Sequence, residues 1–315
     1  MVRICPIPRD RSGELSLENY VHEHSYDVPW SRYGAAPWSL EPPEVEVLMA
    51  LIRERGVPLM ELVGAKPLYG IKTGLNEAFL IDDATRTALI RDDPGCAAII
   101  KPYLRGQDIG RWVPDWRGLW MIVLRSSGNW AWPWSDAGEE AEAVFQRTYP
   151  SLHAHMKPLQ DRLMARQDKG RYWWELRACD YYGAFDRPKL VYQVIQFHPQ
   201  YALDSLGRYG NDKTFFLSTA DPYLLAVLNS PLLWWHNWRY LPHMKDEALN
   251  PAGFRMEALP IAEPTPEIRI QTEERVAELL ALTQEARTNP GNCCPGCAWN
   301  WASINPASGW RPSPT

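Results

Sequence analysis

The sequence has no uninterrupted apolar run of the ~18 residues that a membrane-crossing helix needs. Its best stretch, YLLAVLNSPLLWWHNW, is broken by Asn229, Ser230 and Pro231, so no span is expected there. The opening residues, MVRICPIPRDRSGE, carry no apolar segment after their first charge. No secretory leader is therefore read, and a cytoplasmic setting is expected. Cysteine is scarce: Cys5, Cys96 and Cys179 are scattered, while Cys293, Cys294 and Cys297 sit together near the end. Cys294-Pro-Gly-Cys297 has half of a zinc spacing, but no second CxxC or HxxxH accompanies it. Reduced thiols and no metal are expected.

Signatures of chemistry are missing as well. There is no phosphate-cradling Walker loop, no GxGxxG, no HExxH and no GxSxG. Asp221-Pro222-Tyr223 lacks the second proline of the segment that holds a target amine in amino-group methyltransferases. The histidines at 22, 24, 153, 155, 198, 236 and 243 form no recognisable ligand spacing, and His153 and His155 do not share a helix face. Carboxylate pairs such as Asp92-Asp93 and Glu139-Glu140 stand without the lysine that a nuclease cluster needs. The chain alone is expected to catalyse nothing.

What is present is a globular composition, 45% hydrophobic and 23% charged over 315 residues, enough for one large or two medium domains. The net charge of −5 is unevenly spread. Residues 1–65 hold ten acids against six bases, whereas residues 147–192 hold nine bases against five acids. Exposed charges are screened beyond about 8–10 Å, so a local basic surface in an acidic chain is able to meet phosphates. A solvated helix face would show the same balance. The sixteen tryptophans are the most unusual feature. Packing explains most of them, and stacking on bases or sugars is the alternative for a minority.

Pattern reading predicts a helix from Pro43 to Gly56 with Val47, Leu48, Leu51 and Ile52 on one face. In YGIKTGLNEAFLID, a turn at Gly74 or Asn76 precedes a strand over Ala78–Ile81. KPYLRGQDIGRW reads as strand and turn, and LWMIVL as a buried strand. Ser151 opens a helix to about Gln167, with Leu152, His155, Met156, Leu159 and Leu163 inward. PKLVYQVI, QYALD and KTFFLS are strands, and Asp221-Pro222 caps a helix that can continue through LLWWHNW. Phe254–Ile261 reads as extended, and Thr265-Pro266-Glu267 starts a long acidic helix.

Lys72 and Thr73, then Lys101, Arg105 and Arg111, are candidate phosphate contacts on neighbouring loops of a sheet edge. Gln107, Gln193, Gln196 and Asn211 offer the paired donor and acceptor that a base edge requires. Gly70, Gly74 and Gly106 are read as structural, where backbone bends or approaches closely. Residue types alone serve equally well for turn caps, with Lys72 and Arg105 paired to Asp82 or Asp108. Trp173, Trp174, Tyr181 and Tyr182 are read as packing.

In this order, GIKTGLNEAFLID, IIKPYLRGQDIGRW, DKGRYWWELRACDYYGAFDRPKLVYQ and DPYLLAVLNSPLLWW resemble the TaqI-like C-terminal specificity domain, across roughly residues 66–262. That domain is the target-recognition part of adenine-specific DNA methyltransferases and fused restriction-modification enzymes. The resemblance implies an α+β recognition domain with short twisted sheets, flanking helices and a long C-terminal helix. It also implies double-stranded DNA as partner. A separate N6-adenine methyltransferase domain or subunit would supply catalysis with S-adenosylmethionine, and this chain would lack that catalytic half. The expected layout is a connector with one helix over 1–65, the specificity domain over 66–262, a helix over 263–288 and a disordered tail over 289–315. A tryptophan-rich carbohydrate-binding module is the competing expectation.

Overall fold

Two runs, KLVYQ and TFFL, each hold three consecutive apolar residues, and the tertiary arrangement gives the reason: both of their faces are covered. The computed structural model describes residues 1–7, 16–34, 40–64 and 66–288, so the Cys293–Cys297 cluster and the expected tail lie outside the described residues. Strand β8 (Lys189–Gln193) pairs antiparallel with β9 (Tyr201–Asp204) and β11 (Thr214–Leu217). Strand β4 (Leu68–Tyr69) completes the sheet in the order β4-β11-β8-β9. In register, Phe215 faces Tyr192 and Phe216 faces Val191. Leu190, Tyr192, Phe215 and Leu217 belong to one core with Leu224, Leu228, Ile261 and Val276. Val191, Ala202 and Phe216 belong to another, built with Phe79, Tyr103, Ile122 and Trp174. A one-residue slip would exchange the two sets, so register is strongly specified.

The second sheet runs β10 (Tyr209–Gly210), β6 (Ile100–Leu104), β7 (Trp120–Ile122) and β5 (Leu80–Ile81). Only the β10–β6 pair is parallel. Small antiparallel pairs join β1 (Val2–Ile4) to β2 (Tyr26–Val28), and β3 (Gly56–Pro58) to β12 (Pro260–Ala262). With the 23-residue helix Pro266–Thr288 and shorter flanking helices, the class is α+β as expected. The three strands read between 188 and 218 all form. Asp221 caps the helix Pro222–Leu228 through its carboxylate, which accepts from the Tyr223 and Leu224 N–H groups at 2.8 and 3.4 Å.

Several local expectations change. Residues Asn76–Phe79 make a helical turn, leaving only Leu80–Ile81 as strand. Adjacent Ala78 and Phe79 are both fully buried, which alternation along a two-faced edge strand would prevent. The helix Pro43–Arg55 forms, but Val47, Leu48 and Leu51 are exposed and Met49 is its buried residue. It leans on β3 and β12 along the stripe at Met49 and the half-buried Val45 and Ile52. The helix opened near Ser151 breaks into Pro150–Met156, a 3-10 turn Lys157–Leu159 and Gln160–Met164, with Pro158 at the break. His153 is buried there, while His155 is only half-buried. Asn229 splits the run after Asp221 in two, and Ser230 caps the second helix, Pro231–Tyr240. The Phe254–Ile261 piece is a helical turn, Gly253–Met256, followed by β12.

Two cations of the basic segment are interior. Lys189 Nζ lies 2.7 Å from Asp204 Oδ2, and both residues are almost completely enclosed. Asp204 also accepts from Arg208 and from the Leu206 and Arg208 N–H groups, so the buried carboxylate is hydrogen-bond saturated. Arg166 donates to the carbonyls of Leu163, Thr73, Trp173 and Glu175. Burial pushes its pKa down to about 10, which leaves it charged at neutral pH.

Candidate nucleic-acid interface

Three turns meet at the end of the sheets where β6 and β8 finish. The first follows β6: Arg105 leads into the turn Gly106–Asp108 because the Asp108 carboxylate folds back on it. That carboxylate accepts from the Arg105 backbone N–H at 2.8 Å, from Nε at 3.0 Å and from Nη2 at 2.8 Å. The second is the β10–β11 turn, where Asn211 Oδ1 accepts from the Lys213 N–H and the Asn211 carbonyl accepts from Thr214. The third leaves β8: Gln193 Nε2 donates to Gln200 Oε1 at 2.6 Å across the mouth of the β8–β9 hairpin. These turns touch, since the Val194 N–H donates to the Lys213 carbonyl and the space beside Gly106 is bounded by Lys213 and Gln193. Burial pushes the Tyr103 phenol beneath them well above its usual range, and Asp212 and Asp108 add to the effect.

The Lys72 loop joins this end through backbone. Ile71 bridges Asn211, its N–H donating to the Gly210 carbonyl at 2.6 Å. Gly74 supplies the positive φ, +68°, that lets the loop turn. Lys72 Nζ lies 2.8 Å from Asp168 Oδ2, and Arg177 reaches the other oxygen at 3.5 Å. Asp168 holds the Lys72 ammonium above its ordinary pKa, with Asp212 adding. A common layering results. The carboxylates lie beneath, 15% exposed for Asp168 and 3% for Asp108, and the cations lie outside, 58% for Lys72, 68% for Arg177 and 39% for Arg105. Lys213 adds an exposed cation beside Asp212.

Arg105, Gln107, Gln193 and Asn211 are thus brought together, with the Lys72 loop joined to Asn211 through Ile71; Gln107 is exposed and the two amides at 193 and 211 are half-buried. Other candidates are corrected. Thr73 is 4% exposed, its hydroxyl donating to Asn76 Oδ1 and its carbonyl accepting from Arg166, so it faces the interior. Gln196 is 1% exposed and occupied with Gln193 and Leu249, so it offers no edge to a base. Arg111 is half-buried over the Trp112 ring and donates to the Asn229 carbonyl, and desolvation lowers its pKa. Lys101 sits at the opposite end of β6 from Arg105, facing Asp186 at 3.7 Å. One surface for 72, 101, 105 and 111 together is not what forms. Arg105 pairs with Asp108 as its local alternative foresaw, whereas Lys72 pairs with Asp168 and not Asp82. Gly106 is also corrected: a Cβ there would make ordinary contacts of 3.6–3.8 Å.

Lys213, Arg177, Asp168 and Gln200 were not read as site residues. Lys213 had a signal, an unpaired-looking cation next to a polar turn; Asp168 had none, because its partner Lys72 is remote in sequence. Trp174 and Tyr182 are buried and Trp173 and Tyr181 half-buried, as packing requires. Among the described tryptophans only Trp30 and Trp130 are exposed, and the Arg125 guanidinium covers Trp130 at 4.1 Å. The described tryptophans therefore form no exposed row. No described helix is long and apolar enough to cross a membrane.

No protein-family model matches the chain, and no curated protein matches it. Among solved structures it is similar to a Type IIL restriction-modification enzyme, MmeI, in complex with DNA. The identity is 15% and the TM-score 0.49, covering 74% of this chain and 28% of that one. The chain thus spans less than a third of that enzyme's length.

Proposed function

We propose that the chain reads duplex DNA as the target-recognition part of a restriction-modification or adenine-N6 methyltransferase assembly. The observation that carries the reading is the layered rim: outward Lys72, Arg105 and Arg177 over enclosed carboxylates, beside Lys213 and the amides of Gln107, Gln193 and Asn211. Leaving either enclosed carboxylate unpaired would be costly, so a phosphate shares the outward cations with Asp108 and Asp168 and does not displace them. Arg105 spends Nε and Nη2 on Asp108, which holds the guanidinium in place and leaves the two Nη1 hydrogens outside that fork. Methyl transfer from S-adenosylmethionine to a flipped adenine belongs to a separate domain or subunit. The similarity of the four sequence segments to TaqI-like specificity domains supports the adenine assignment.

Binding of a mixed-sequence duplex over a salt series tests this. Four cations on four phosphates give a log–log slope of about −3 to −4. Salt-independent binding, or none at low salt, would overturn the reading. Methyl transfer to DNA by the purified chain alone would overturn its division of labour.

A further inference from the structure

The β8–β9 hairpin ends in two large apolar side chains that neither core absorbs. Along it Tyr192 is enclosed, Gln193 and Val194 half-buried and Gln196 enclosed, while Ile195 and Phe197 are 43% and 61% exposed. The tip is held in that orientation. Gln196 exchanges both backbone hydrogen bonds with Leu249, at 3.0 and 2.8 Å, and Pro199 is buried behind it. Pinning Gln196 inward turns Ile195 and Phe197, one residue to either side, outward together. A single exposed apolar residue needs no explanation. Here two flank the pinned Gln196 on a tip whose base is the Gln193–Gln200 amide pair and the Lys213 turn.

Two side chains fall far short of the roughly 800 Å² per partner that a stable protein interface buries. The cationic rim at the hairpin base would supply the phosphate contacts that hold a duplex against the tip. Apolar residues entering such a step exchange unstacking for a bend that brings more backbone onto the protein. Resting on the DNA reading above, we infer that Phe197, with Ile195 behind it, inserts between two base pairs of the bound duplex and unstacks that step. The favoured steps are the easily opened pyrimidine–purine ones, TA and CA/TG, which each place a thymine at the opening.

The test uses the full chain and a pool of duplexes with a randomised centre. Retained duplexes are treated with permanganate, which oxidises unstacked thymines. Hyper-reactive thymines at one step are expected with the unaltered chain, absent with Phe197→Ala and reduced with Phe197→Leu, the salt slope staying the same because no cation is removed. Retained duplexes without such thymines, or with the same pattern for Phe197→Ala, would overturn the insertion and leave DNA recognition standing. A pool from which nothing is retained would remove both.

Discussion

Lys72 and Gln107 offer a duplex different things. Lys72 presents a point charge on a flexible stem, which any phosphate satisfies, whereas Gln107 is an exposed amide whose donor and acceptor match one base edge. Lys72→Ala is expected to lower affinity for all sequences alike and to reduce the magnitude of the salt slope by about one. Gln107→Ala should leave the slope unchanged and lose discrimination at one base pair, about 1–3 kcal/mol. Competition binding with single-base variants of a selected duplex, at two salt concentrations, separates the outcomes. At this scale the sequence was a partial guide. Arg105 and Asp108 are three residues apart, so their pairing is readable; the enclosure of Thr73 and Gln196 is not, because residues distant in the chain create it.

At the scale of elements, the site depends on one close approach. A Cβ on Gly70 would lie 1.9 Å from the Asn211 carbonyl oxygen, in the backbone contact that ties the Lys72 loop to the β10–β11 turn. Gly70→Ala must therefore separate these segments, at a cost on the order of 1–3 kcal/mol, and loosen Lys72 and Asn211 together. Gly106→Ala meets contacts of 3.6–3.8 Å and should stay within about 0.5 kcal/mol of the unaltered chain. Thermal melting of the two variants, with duplex affinity measured on each, checks the contrast. Equal melting temperatures would remove Gly70 from this role. Strands buried on both faces were readable from their apolar runs, whereas Asn76–Phe79 was not, its four residues following the core they enter.

For the whole molecule, burial of neutral imidazoles sets a pH response. Desolvation lowers the pKa of His155 and of His236, the latter also feeling Arg53. In the unfolded chain both titrate near 6.5. Below that pH the unfolded state takes up protons that the folded state refuses, so their contribution is intact above about 6.5 and lost as pH falls toward the lowered folded values. The melting temperature should drop between pH 7 and 5.5. His236→Asn, whatever its own stability, should show a smaller drop over the same interval; an unchanged drop would exclude His236 as a contributor.

The sequence by itself determined the three strands between 188 and 218, the Asp221 cap and the long closing helix. Those follow from period, capping chemistry and turn residues, which act over a few positions. Tertiary structure alone decided which cations face outward. Arg166 and Lys189 are as basic in composition as Lys72 and Arg177, yet the first two are held by carbonyls and a carboxylate inside the molecule. Burial belongs to the packed chain and not to any stretch of it, so the layering of cation over carboxylate exists only once remote segments meet.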